Sequence, residues 1–75
     1  MATAFVLINA EIGAEAEVLK SLKDIKEVKE ASMVYGVYDI IARIETDAMQ
    51  ELKDVIRRKI RRLERVRSTL TMIVL

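Results

Sequence analysis

The stretch Met33-Val34-Tyr35-Gly36-Val37-Tyr38-Asp39-Ile40-Ile41 lies near the middle of a 75-residue chain. It holds both tyrosines, one of the two glycines and an aspartate at the entry to an apolar run. Glycine adopts positive φ at no steric cost, so Gly36 is where the chain is expected to reverse. Before it, Val28 to Tyr35 alternates, with Val28, Glu30, Ser32 and Val34 against Lys29, Ala31, Met33 and Tyr35. After it, Tyr38 to Glu45 sets Ile40, Ala42 and Ile44 against Ile41, Arg43 and Glu45. Two runs of period two this close together predict an antiparallel hairpin. Charges near the start of the first run mark it as a partly exposed edge strand.

Working outward, Thr3 to Ala10 is a continuous apolar run rich in strand-forming residues. Its lack of alternation predicts cover on both faces. Helices supply one cover. The other face, carrying either Phe5 and Leu7 or Val6 and Ile8, is expected to meet a neighbouring subunit's sheet. Past Gly13 the period becomes helical, with Val18, Leu19 and Leu22 inward and Glu15, Glu17, Lys20 and Lys23 outward. A first helix is expected over Ala14 to Lys23, its acidic start and basic end matching the helix dipole. Beyond the hairpin, Met49, Leu52, Ile56, Ile60 and Leu63 mark the buried stripe of a second helix reaching about Leu63. Asp47 with Gln50 reads as its capping box, with Thr46 or Asp47 as the cap. Val66 to Leu75 reads as a last strand. The order is βαββαβ, an α+β ferredoxin-like fold with two helices on one face of a four-stranded antiparallel sheet.

The size of the chain bears on assembly. A domain of 8.6 kDa buries apolar surface worth about 110 kcal/mol on folding. Ordering its residues costs about the same. With no cysteine for disulfides or zinc and no histidine for a metal, the remaining source of stability is a partner chain, and a hydrophobic content of 52% points the same way. An obligate oligomer pairing through the sheet is expected. The absence of cysteine agrees with a reducing, cytoplasmic setting. No basic n-region opens the chain, and no apolar run approaches the roughly 18 residues of a membrane span. A net charge of +1 gives no global electrostatic case for nucleic acid. Abundant charge with Asn9 and Gln50 as the only side-chain amides resembles thermophile composition.

The inventory is poor in catalytic groups. Without histidine or cysteine, the commonest general base and the commonest activated thiol are both missing, and no phosphate-loop, dinucleotide or zinc-hydrolase motif occurs. Asp39 reads either as a hairpin residue bonding nearby amides or as a ligand contact. Tyr35 and Tyr38 read as rings covering a sheet edge with a wet tip. Thr69 and Thr71, two apart, place hydroxyls on one face of the last strand. Together, hydroxyls, a glycine turn and a carboxylate suit a small zwitterion: amides and hydroxyls for its carboxylate, Asp39 or carbonyls for its ammonium. The run Arg57, Arg58, Lys59, Arg61, Arg62, Arg65 invites nucleic acid, but cations late in a helix also answer its negative end. Glu51, Asp54 and Glu64 are available to pair with them. No RNA-module aromatic signature accompanies the run.

Val28-x-x-Ala31, then Gly36-x-Tyr38-Asp39-Ile40-Ile41, then a helix, then Ser68-Thr69-x-Thr71-x-Ile73-Val74, resembles the effector (RAM) domain of the Lrp/AsnC transcription regulators over nearly the whole chain. The resemblance implies dimers formed through the sheets and rings commonly of eight or ten subunits, with amino acids bound between dimers. Carried over, it puts Gly36, Tyr38 and Asp39 at the site, with Tyr35 and Val37 in the same loop and Ser68, Thr69 and Thr71 on the strand. Three departures stand out. The chain begins directly at the first effector strand, so residues 1–75 are expected to be a single stand-alone domain without a helix-turn-helix or direct DNA binding. Tyr35 stands where a threonine often precedes the glycine. Leu63-Glu64-Arg65-Val66 replaces the usual Pro-Gly before the last strand. The expected function is amino-acid sensing by an oligomeric module that co-assembles with full-length Lrp/AsnC regulators. The two other readings are a small dimeric ferredoxin-like enzyme and a structural assembly partner without ligand.

Overall fold

In the computed structural model, which describes residues 1–75, the chain runs β1 (Ala2–Ala10), α1 (Glu15–Lys23), β2 (Val28–Met33), β3 (Ile40–Thr46) and α2 (Met49–Val55). A π-helical turn (Ile56–Ile60) and β4 (Val66–Ile73) complete it. The sheet order is β2-β3-β1-β4 with every neighbouring pair antiparallel. This is the ferredoxin-like arrangement that the order of periods predicts.

The two faces of β1 are now distinct. Ala2, Ala4, Val6, Ile8 and Ala10 are buried beneath the helices. The alanines leave room for helices to approach, and Val6 and Ile8 supply the packed volume. From β3, Ile40, Ala42 and Ile44 join them, with Val18 and Leu22 of α1 and Leu52, Val55, Ile56 and Ile60 from α2 and the turn after it. Phe5 and Leu7 take the opposite face, where they are only half-buried. Ile41 stands beside them on β3, and Leu70 and Met72 on β4 are 45% and 47% exposed. Strand β1 thus alternates in burial although its sequence does not alternate in polarity. Arg43 sits within this open face, paired with Glu45 and, at 3.5 Å, with Glu30.

Four expectations need correction. Strand β2 stops at Met33 rather than Tyr35, because Met33 pairs with Ile40 and residues 34–39 form a longer loop than Gly36 alone required. A bulge at Lys29 lets Val28 and Ala31 both face the helices while Glu30 and Ser32 face the open side, which breaks the alternation read through that strand. Helix α2 has Ala48 at its N-cap and no side-chain cap. Thr46 is still in the sheet and buried there, so its hydroxyl donates to the Ala48 carbonyl at 2.8 Å. Finally, the α-helix ends at Val55 and widens into the π-helical turn, where the Arg61 N–H reaches the Ile56 carbonyl at 3.0 Å. Before β4, Arg65 takes φ +66°, a conformation costly for a residue with a Cβ. The usual glycine would adopt it freely.

The turn after α2 is tied to the α1–β2 connection by Lys59 Nζ and Glu27 Oε1 at 2.9 Å. The hydrogen bond from Lys59 holds the Glu27 carboxyl below its ordinary value of 4.5, against a smaller opposing effect of burial. A carboxyl depressed on folding stabilises the fold above its unfolded pKa and loses that contribution as pH falls through the folded pKa. Thermal melts of wild type and Lys59→Gln are therefore expected to differ at neutral pH and to converge in acid, once pH has fallen through the lowered pKa of Glu27. A gap that stays constant across the acid range would show that the pair does not act through Glu27 ionisation.

Candidate functional site

The end of β1 gathers the polar groups that the sequence singled out. Asp39 lies just before β3 and is bound three ways. Its N–H donates to the Ile8 carbonyl at 3.0 Å, its carbonyl accepts from Val34 N–H at 2.8 Å, and its Oδ2 accepts from Ala10 N–H at 3.0 Å. The first two bonds close the loop, and the third ties it to the central strand. Asp39 is therefore a structural residue of the hairpin. Its carboxylate is partly buried, and Oδ1 makes no hydrogen bond within the chain.

On the other side of β1, Ser68 pairs with Asn9 and Thr69 with Ile8. Asn9 Nδ2 approaches Ser68 Oγ at 3.4 Å on the open face. Asp39, Asn9 and Ser68 thus form a row across one end of the sheet, with Asp39 and Ser68 about 10 Å apart at two strand spacings. Thr69 faces the helix side at the same end. Thr71 does so two residues further along, opposite Val6. Thr71 is not at the row. It lines a cleft of about 340 Å³ with Lys53, Ile56, Arg57, Arg61 and Ile73. Asn9 was not among the sequence candidates, although a lone amide inside an apolar strand was its visible signal.

The loop itself projects. Gly36 has φ +145°, open only to glycine at low cost. Tyr35 is fully exposed and Val37 is 86% exposed, while Tyr38 is half-buried. Edge cover therefore describes Tyr38 and not Tyr35. With Met33 and Val34 also exposed, the loop presents a run of apolar side chains to solvent. None of the clefts in the chain is lined by residues 35–39, Ser68 or Thr69, so the row is an open shelf within one chain. No helix is long and apolar enough to cross a membrane.

Asp39→Asn keeps an oxygen for Ala10 N–H and is expected to melt within about 1 kcal/mol of wild type. Asp39→Ala strands that amide and is expected to cost about 1–3 kcal/mol. Chemical denaturation of both variants checks this pair. Equal losses would mean that the Ala10 bond contributes nothing.

Known proteins share this fold. A family model described as the Lrp/AsnC ligand binding domain matches residues 3–75. Among solved structures, FFRP-DM1 is 44% identical, with a TM-score of 0.94 and 100% of each chain covered. The hypothetical protein PHS023 from Pyrococcus horikoshii is also 44% identical, with a TM-score of 0.94, covering 100% of this chain and 90% of that one. E. coli AsnC is 28% identical with a TM-score of 0.89, covering 99% of this chain but 50% of its own. No curated protein sequence matches the chain. From its first strand to its last, this chain belongs to the Lrp/AsnC family and carries the family's ligand-binding domain.

Proposed function

We propose that the protein is an amino-acid-sensing regulatory module of the cytoplasm that binds a small amino acid at the end of β1, between dimers. The observation that carries this reading is the open shelf of Asp39, Asn9 and Ser68 beside an exposed apolar loop. It has polar groups for both ends of a zwitterion and no second wall. The free Oδ1 of Asp39 takes the ammonium. Backbone amides at Gly36 and Val37, with the Ser68 hydroxyl, take the carboxylate, while Thr69 lies at the same end of the sheet but on the helix side. Tyr35, Val37 and Tyr38 supply apolar contact, and Thr71 lies further along on the helix side. A neighbouring dimer completes the enclosure, which couples ligand to assembly, since whatever binds only the assembled state stabilises it by mass action. The half-exposed sheet face is the dimer surface, and rings of eight or ten subunits are the assembly that the family resemblance implies.

The amino-acid class has support in a structural likeness. A transcriptional regulator from Neisseria meningitidis, solved as its L-Met complex, has the same fold. It is 16% identical with a TM-score of 0.82, covering 99% of this chain and 49% of that one. The chain matches half the length of E. coli AsnC, and we read it as a domain that joins full-length regulators through the same surfaces. Catalysis is not part of this reading.

Calorimetry against the twenty amino acids, with oligomer mass followed in parallel, tests it. Binding of at least one amino acid, lost in Asp39→Asn, is the expected result. No heat from any of them, with mass unchanged, would end the sensing hypothesis.

A further inference from the structure

The strongest charge feature lies away from the shelf. Between α2 and β4, Arg57, Arg58 and Arg62 alone form the walls of a cleft of about 400 Å³. The cleft holding Lys53, Arg61 and Thr71 adjoins it through Arg57 and adds the apolar side chains of Ile56 and Ile73. Acidic partners account for little of this charge. Arg57 is met by Asp54 at 2.8 Å and Lys59 by Glu27, whereas Lys53, Arg58, Arg61 and Arg62 form no ion pair. Arg57 and Arg58 in the π-helical turn and Arg61 and Arg62 just after it are like charges crowded into six residues, and they repel one another. The negative helix end explains one or two cations in a last turn, not a cluster that lines a concave surface. The π-helical turn under it is a second signal, because such turns are rare and occur often at functional sites.

We propose that this surface is a second ligand site that takes a small oligophosphate, with Arg57, Arg58 and Arg62 gripping adjacent phosphate groups and Lys53 and Arg61 extending the grip. Guanidinium forks match phosphate oxygens in geometry as well as charge. Several phosphates are needed to balance so many unpaired cations. The concave cleft suits a compact anion better than a duplex, and the overall charge of +1 gives a long polyanion little general attraction. The adjoining apolar wall of Ile56 and Ile73 offers a place for a nucleoside, so the phosphates arrive either as an inorganic chain or on a nucleotide. The site is separate from the amino-acid shelf and stands or falls independently of it.

Calorimetric titration of the intact protein at low salt with inorganic tripolyphosphate, ATP and adenosine tests the proposal. Tripolyphosphate and ATP are expected to bind saturably, with affinity falling as salt rises, and adenosine not to bind. The double variant Arg58→Gln/Arg62→Gln is expected to weaken both by about a hundredfold, at roughly tenfold for each lost charge-assisted bond. Its Tm is expected to hold or rise, because repulsion is relieved, whereas a purely structural role for the arginines would lower it. Lys23→Gln/Lys29→Gln removes the same charge elsewhere and is expected to change binding by less than about threefold. ATP binding tighter than tripolyphosphate would assign the site to nucleotides, and equal binding to the phosphate chain alone. Three outcomes overturn the proposal: no saturable binding, equal losses in both double variants, or arginine-dependent binding of a single-stranded oligonucleotide without binding of either small anion.

Discussion

If the open sheet face is the proposed dimer surface, glutamate at both Leu7 and Leu70 should yield a monomer, with the mass in light scattering falling to that of one chain. The two residues are directly opposed across β1 and β4 on the open face, beside the Phe5–Met72 pair and Ile41 of β3. Opposed side chains on a sheet lie about 5 Å apart, so the two carboxylates repel even before a partner arrives. In a two-fold interface each substitution also appears on the facing copy. Association would then bury four carboxylates, and each unpaired buried charge costs several kcal/mol. At about 1.4 kcal/mol per tenfold, the dimer constant rises more than about a thousandfold. Arg43 offers no relief, since Glu45 and Glu30 already engage it. The fold should survive, because both leucines are only partly buried and point away from the helices, and circular dichroism of the variant should stay close to wild type. A variant that folds and keeps the oligomeric mass would remove the open face from consideration as the interface.

How much of this was legible beforehand depended on the range of the interactions involved. Period and composition are local, so they placed all six main elements and the inward Leu52, Ile56 and Ile60, although Met49 proves exposed and Val55 takes its place in the core. Which face of β1 meets the helices was not legible, because Phe5 and Leu7 are as apolar as Val6 and Ile8. What separates them is the small volume of Ala2, Ala4 and Ala10 on the even positions, which allows helices close. The bulge at Lys29 was hidden by an alternation that runs straight through it. The length of the hairpin loop was hidden for another reason: Asp39 is held by Ile8 and Ala10, about thirty residues away in the chain. That contact also explains the divided reading of Asp39. The turn-residue interpretation is right that Oδ2 accepts from a backbone amide, but that amide belongs to Ala10 on the neighbouring strand and not to the hairpin. For the last strand, Thr69 and Thr71 do share a face, but it is the helix face, and only sheet order shows that Thr71 ends beside the arginines of the turn after α2.

Ile8→Ala is expected to cost about 2–5 kcal/mol, the usual range for deleting a fully buried aliphatic side chain. Ile12→Ala, the same chemical change, should stay within about 0.5 kcal/mol. Ile8 is wholly buried at the centre of the sheet, between Ile40 and Thr69, and Ile12 is 91% exposed in the turn before α1. A domain of 75 residues has only about 4–11 kcal/mol to lose. The first variant should therefore drop Tm by at least about 10 °C and the second by less than about 4 °C. The contrast also probes the site, because the Ile8 carbonyl receives the Asp39 N–H that closes the loop. An amino acid at a hundredfold over its Kd stabilises by about 2.7 kcal/mol, comparable to the core loss. If the shelf is intact in Ile8→Ala, saturating ligand should raise its Tm by as much as it raises that of wild type. If the collapsed cavity pulls β1 out of line, Asp39 moves with it and the rescue fails, while Ile12→Ala is rescued in full. Differential scanning fluorimetry of the three proteins, with and without ligand, separates the two outcomes. Rescue of Ile8→Ala equal to wild type would show that the core and the shelf are energetically independent despite the shared strand.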